Sequence, residues 1–258
     1  GAKFYKSENS SRQGPGSSNS DADFNFYSNN FPNYNNQSEY QYPNLNIAFF
    51  GENLFYLNSR LSITPGFRIE HIKTESSGNY KKINLDGAGN VILNETIYND
   101  NIRKRSFILL GTGISYKGPL EIYGNISQNY RSVTFADISI INPAYSIDPN
   151  ISDEKGYTID CGLRGLVNEY VSYDFSIFNL YYNNRIGFIQ KAYDDGSVKS
   201  EKGNVGNAII YGLESLIDFN LSKLLQLNKN NIFNFYINSS FINSEYVETQ
   251  RNRILGNK

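Results

Sequence analysis

The stretch "GPLEIYGNISQNYRS", residues 118–132, alternates apolar and polar side chains almost without interruption. Leu120, Ile122 and Ile126 share one parity with Gly124 between them, and Glu121, Tyr123, Asn125, Ser127, Asn129 and Arg131 share the other. A period of two residues is that of a β-strand with one apolar and one polar face. The fold is decided by which of those faces points outward.

Composition narrows the choice. The chain has 258 residues, 39% hydrophobic and 15% aromatic, with a mean hydropathy of −0.49. It contains no apolar run of about 18 residues, the length that marks a transmembrane helix. Net charge is −1 and the basic residues are scattered, so no nucleic-acid partner is expected. The single cysteine, Cys161, has no partner for an internal disulfide, and its place in an alternating segment reads as a small apolar filler. The opening "GAKFYKSENSSRQ" carries no basic segment followed by an apolar one, so any export signal is expected upstream and the chain is expected to be a piece of a longer protein.

The same alternation recurs along the chain. Strands are expected near residues 44–57, 61–75, 105–117, 120–133, 157–167, 171–185, 208–221 and 232–246, and helical periodicity is nearly absent. Several of these segments exceed the strand length of about 5–6 residues common in globular proteins. The connections alternate in length: 58–60, 118–119 and 168–170 are short, 76–104, 134–156 and 186–207 are long, and 222–231 is intermediate. Long connections therefore gather at one end. Tight turns at one rim and long loops at the other form the pattern of an outer-membrane β-barrel, whose strands need about 9–11 residues to cross the bilayer. A soluble sandwich also alternates, but its strands are shorter and its long loops are not confined to one end.

In a barrel the apolar parity faces lipid and the polar parity a wet lumen. Tyr157, Ile159, Cys161 and Leu163 are then outward against Thr158, Asp160 and Arg164, and Val171, Tyr173, Phe175 and Ile177 outward against Ser172, Asp174 and Ser176. Phe178, Leu180 and Ile210 fall on the wet parity, and residues 107–110 do not alternate. Residues 1–43, rich in Asn, Ser and Tyr, are expected to form a polar extracellular loop or arm, with 44–258 as the partial barrel domain.

Four segments, "ENLFYLNSRLSITPGFRIEHIKT", "NYRSVTFADI", "IDPNISDEKGYTIDCGLRG" and "GNAIIYGLES", resemble successive barrel segments of TonB-dependent outer-membrane receptors, closest to the ferric dicitrate receptor subgroup, over roughly residues 44–220. The resemblance implies an all-β fold: a transmembrane antiparallel β-barrel fragment with about eight strands of a barrel of about 22, with the lumen plug absent. It further implies a receptor in the outer membrane of a Gram-negative bacterium that takes up an iron chelate, coupled to the TonB complex through the absent N-terminal part. Outer-membrane lipid and lipopolysaccharide are the expected surroundings. No plug, TonB-box-like segment or terminal aromatic is seen here.

No enzyme and no cofactor are expected. His71 is the only histidine, so neither a His/Cys metal cluster nor a Cys/His pair can be argued from spacing. "GTGISY" at 111–116 stops short of a nucleotide-binding fingerprint and reads as barrel-wall glycines. The acidic pairs Asp153–Glu154 and Asp194–Asp195 read as solvated turns. For capture of an anionic chelate, Arg131 is the first candidate, since the guanidinium fork suits oxygen-rich anions. Gln128 and Asn129 lie just below it, and Arg103 and Arg105 begin the neighbouring strand at the same rim. The competing reading is that these arginines bridge to neighbouring loops or to lipopolysaccharide phosphates. Tyr130 is expected in the aromatic girdle, Arg68 paired with the plug or a lumen carboxylate, and Arg164 near the tight-turn end. The alternative function is a self-contained small barrel with a structural or adhesive role.

Overall fold

A computed structural model describes residues 1–16, 26, 28–139, 145–192, 196, 198–227 and 232–249. The strands are β1 (Ala2–Gln13), β2 (Ser38–Glu52), β3 (Phe55–Tyr56), β4 (Leu61–Leu85), β5 (Val91–Lys117), β6 (Glu121–Arg131), β7 (Tyr145–Ile147), β8 (Glu154–Val167), β9 (Val171–Ala192), β10 (Val198–Asn220) and β11 (Asn234–Thr249). Two single-turn helices, α1 (Phe135–Ile138) and α2 (Leu221–Leu224), complete the described elements. The long strands form one antiparallel meander in the order β1-β2-β4-β5-β6-β8-β9-β10-β11, with β3 on β4 and β7 parallel to β10.

Three of the connections at one end are tight. The Asn58 carboxamide oxygen accepts from Arg60 N and Leu61 N, Gly118 N donates to Leu120 O, and in the three-residue connection 168–170 Asn168 and Glu169 take positive φ values, 47° and 66°, as tight hairpin turns do. At the other end the strands continue as tall hairpins. The β4–β5 pair is closed by Asp86, whose carboxylate accepts from Ala88 N and Asn90 N. With 25 and 27 residues, these two strands exceed twice the length that crosses a bilayer. The expected long loops 76–104 and 186–207 are thus largely strand, because polar residues on both faces do not prevent a ladder that stands in water. The first 43 residues also differ from a uniform loop. Ala2–Gln13 pairs along its whole length with Ser38–Phe49, a partnership between distant segments that local composition does not reveal. Asp194 and Asp195 lie outside the described residues.

The parity assignment sorts the faces. Ile69 opposes Ile108, Phe67 opposes Leu110 and Cys161 opposes Ile177, all on one exposed, apolar face. The opposite face carries a hydrogen-bonded polar set. Tyr123 Oη donates to Asp174, Asn125 Nδ2 to Asp160 and Asn129 Nδ2 to Thr158, at 2.9, 3.1 and 2.7 Å. The misfit Phe178 has a physical reason. It opposes Gly212 on β10, and a ring carbon lies 2.8 Å from where a Gly212 Cβ would stand, so the ring covers a bare backbone. Phe107 likewise stacks on Tyr130 with centroids 3.7 Å apart, while Ile108 and Leu110 join the outer face. Tyr130 is therefore not a girdle residue; its hydroxyl reaches Asp153.

β1 and β11 end the sheet path and do not pair with each other, so the described strands do not close into the small barrel of the alternative reading.

Candidate functional site

The inner wall is interrupted at one place. β5 and β6 are paired only from Lys117↔Glu121 to Gly111↔Ser127, above which β6 follows β8 and β5 follows β4. Gln128 closes the gap by accepting Leu110 N through its side-chain oxygen, on the parity of Ile122 and Ile126. That placement removes Gln128 from the lumen set: it repairs a backbone donor that lost its ladder partner. Asn129 is inward, bound to Thr158.

Above the gap the chain between β6 and β8 folds back along the concave face. Val133, Ile138 and Ile151 form its buried cluster, with Ile147 and Ile186 packed against it. Phe135 stacks on Tyr42 of β2 at 4.6 Å, and Ile147 pairs with Lys202 of β10, so the described parts of the segment touch strands on both flanks of the sheet.

The three arginines singled out in the sequence converge on this segment. Arg103 donates to Ile151 O at 2.8 Å and Pro149 O at 3.4 Å. Arg105 bonds Val133 O at 2.6 Å and pairs with Asp153 at 2.9 Å. Arg131 bridges Asp137 and Glu154, both at 3.1 Å, and keeps 44% of its side chain exposed. They are held by the chain's own acceptors. These bonds tie all three arginines to the segment between β6 and β8 or to its junction with β8.

Sequence reasoning missed the partners. Asp137 is 1% exposed; it accepts Thr134 N and Oγ1 at 2.8 and 2.9 Å and pairs with Lys202 at 2.7 Å as well as with Arg131. Burial pushes the Asp137 carboxyl pKa up, but Lys202 and the Thr134 donors outweigh it and hold the group below its ordinary value. The "TFAD" spacing of Thr134 and Asp137 is a capping signal that could have located α1. Asp153–Glu154, expected as a solvated turn, is a correction. Glu154 is 3% exposed and accepts Ile186 N at 2.9 Å, because the segment folds inward and brings two carboxylates against Arg105, Arg131 and Arg185.

At the tight-turn end, Arg164 makes two 3.0 Å bonds to Glu121, where the sequence placed it. Arg68 pairs with Glu70 two residues along its own strand, and Asn46 Nδ2 donates to the same carboxylate at 2.5 Å. His71 Nδ1 lies 2.8 Å from Ser106 Oγ, a cross-strand contact.

With this geometry in place, comparison with known proteins gives a consistent answer. The family model "TonB dependent receptor-like, beta-barrel" matches residues 3–257. Among solved structures, the ferric yersiniabactin uptake receptor FyuA from Yersinia pestis superposes with a TM-score of 0.58 at 17% identity, over 81% of this chain and 28% of that one. The copper transporter OprC gives 0.55 at 14% identity, over 82% and 31%. The ferric-catecholate import receptor Fiu from K12 E. coli gives 0.52 at 14% identity, over 80% and 29%. The chain thus spans about a third of the length of these structures. No curated protein matches it. The chain belongs to the family of TonB-dependent receptor-like β-barrels.

Proposed function

We propose that this chain forms part of the lumen wall of an outer-membrane receptor that takes up an anionic iron chelate of the ferric citrate type. Energy comes from the TonB complex, acting through a plug that occupies the concave face. One observation carries the reading. Cationic side chains on the upper inner wall gather around a single inward-folded segment, and Arg131 among them keeps 44% of its side chain exposed. Arginine on a polar wall is the side chain suited to a carboxylate-rich ligand. FyuA is named as a ferric yersiniabactin uptake receptor and OprC as a copper transporter, so cargo varies on this fold and must be read from the wall itself. In this reading Arg131 and Asn129 meet the ligand, while Arg103 and Arg105 hold the inward segment that frames it.

Titration calorimetry with ferric citrate on the full-length receptor tests this. Arg131→Ala should weaken binding by about 10- to 100-fold, the scale of a lost charged hydrogen bond, and Arg131→Lys should recover part of it. Arg164→Ala at the opposite end should leave binding unchanged. Asp137→Asn serves as a second control, since it loosens the same segment without removing the guanidinium. Undiminished ferric citrate binding by Arg131→Ala, or no ferric citrate binding by the parent receptor, overturns the assignment.

A further inference from the structure

β5 carries a long open edge that the transport reading does not use. The strand has 27 residues, yet β6 accompanies it only from Gly111 to Lys117, while β4 follows its other side from Val91 to Tyr116. Leu110 N is turned toward β6, where the Gln128 side chain takes it. In a regular antiparallel strand the N–H and C=O groups alternate between the two sides, so those of the even-numbered residues from Asn94 to Ile108 point to the same open side. No partner for them is found among the described residues. The stretch contains no proline, and its register with β4 is unbroken from Leu93 onward.

The comparable edge of β10 is closed. Beyond Gly206, where β11 stops, β7 adds to it in parallel, Tyr145–Ile147 against Ser200–Lys202. On the lumen side the β5 edge is roofed, because Asn101 Nδ2 donates to Ile138 O at 3.2 Å and Arg103 to Ile151 O at 2.8 Å. Its outer flank is bare, with Tyr98 77% and Ile102 61% exposed. There Lys104 opposes Lys73, which is paired with Glu75, and Asp100 opposes Ser77, so neither Lys104 nor Asp100 joins an ion pair among the described residues.

Unpaired N–H and C=O groups repeating about every 6.8 Å along a strand are matched by another extended polypeptide. A second copy of this chain fits poorly. In the same membrane, turned about an axis along the membrane normal, its β5 would lie parallel, with Lys104 facing Lys104 and Asp100 facing Asp100. An antiparallel strand with an acid, an apolar residue and a base at alternate positions instead meets Lys104, Ile102 and Asp100 in turn.

We propose that the outer flank of β5 between Tyr98 and Ser106 receives an extended segment of a protein partner at the cell surface, added antiparallel as an extra strand and read by Lys104, Ile102 and Asp100. The occupant is a partner and not cargo, because the segment between β6 and β8 covers this edge on the concave side. The inference goes beyond the iron-chelate reading and takes from it only the placement of the tall hairpins outside the membrane.

The probe is the fluorescein-labelled peptide Thr-Val-Glu-Thr-Val-Thr-Lys-Val-Thr, titrated by fluorescence anisotropy against the full-length receptor in detergent. With the central valine opposite Ile102, its glutamate meets Lys104 and its lysine meets Asp100. N-methylation of the glutamate, central valine and lysine amides, which face β5 in this register, should weaken binding by about 10-fold or more. N-methylation of the two threonines between them should change it little. Exchanging glutamate and lysine in the peptide should weaken binding about 5-fold, and Asp100→Lys/Lys104→Asp in the receptor should restore it. Ile102→Pro removes an open-edge donor without touching the β4 ladder, so it should weaken the probe while gel heat-modifiability still shows a folded barrel. No binding of the parent peptide, or equal effects of the two N-methylation patterns, overturns strand addition. An exchanged peptide that binds as well as the parent overturns the register. Peptide binding by a receptor that ignores ferric citrate overturns the transport reading alone, and ferric citrate binding by a receptor that ignores the peptide overturns this inference alone.

Discussion

At the scale of single residues, Asp137 is the group on which most of the inward segment depends. Its carboxylate takes two cations, Arg131 and Lys202, and two donors from Thr134, all within 3.3 Å. Asp137→Asn removes the charge but keeps the shape, so the barrel should still form while α1 loosens. Hydrogen exchange over residues 134–138 should accelerate by about 10-fold or more, the consequence of losing charged hydrogen bonds of about 1.5–3 kcal/mol. Acid should likewise lower the protection factors of these amides in the parent protein. The folded pKa lies below the ordinary 3.8, so the contribution is complete above that value and is lost as pH falls through the folded pKa. Protection factors in α1, which are corrected for the pH dependence of intrinsic exchange, that do not fall as pH is lowered through and below the folded pKa contradict the latch.

Among elements, the β6–β8–β9 portion relies on close approach of backbones. A Cβ at Gly162 would stand 2.5 Å from Phe175 O and 2.5 Å from Tyr123 Oη, and Tyr123 is the residue that bonds Asp174 across the inner face. Gly162→Val therefore forces the β8–β9 ladder apart and displaces Tyr123, an overpacking penalty of about 1–3 kcal/mol. Refolding yield into detergent should drop. Gly113→Ala is the matched control, because the nearest atom to its Cβ is Gly124 O at 3.8 Å. Equal refolding of the two variants would mean that the inner face has room the geometry denies.

For the whole molecule, the consequence of the sorting is insolubility. Phe67, Ile69, Ile108, Leu110, Ile122, Ile126 and Ile177 are all exposed on one face, and the ladder edges of β1 and β11 are open. Such a surface associates in water. Size-exclusion chromatography without detergent should give aggregate rather than a monodisperse monomer. In cells carrying the full-length protein in a Cys161→Ser background, cysteine at Ala88 on the β4–β5 tip should react with an impermeant reagent, and cysteine at Ser59 in the tight turn should not. Labelling of Ser59 alone reverses the orientation.

The period-two alternation and the spacing of turns determined an antiparallel, two-faced sheet with tight turns at one end, because side-chain direction in a strand is fixed by position in the chain. Gly118, Asn168 and Arg164 sit where that reading put them. Pairings between distant segments were decided only in three dimensions. The strand at Ala2–Gln13 exists because Ser38–Phe49 lies beside it, and polar residues there give no local sign of a partner. The length of the hairpins was likewise hidden, since a strand that is polar on both faces need not alternate. The arginines were legible as a cationic rim, but their partners were not. Asp137, Asp153 and Glu154 reach them only when the segment after β6 folds back along the sheet, which also sets Asp137 beside Lys202 of β10, and the charge on an acid says nothing about which distant cation will neutralise it.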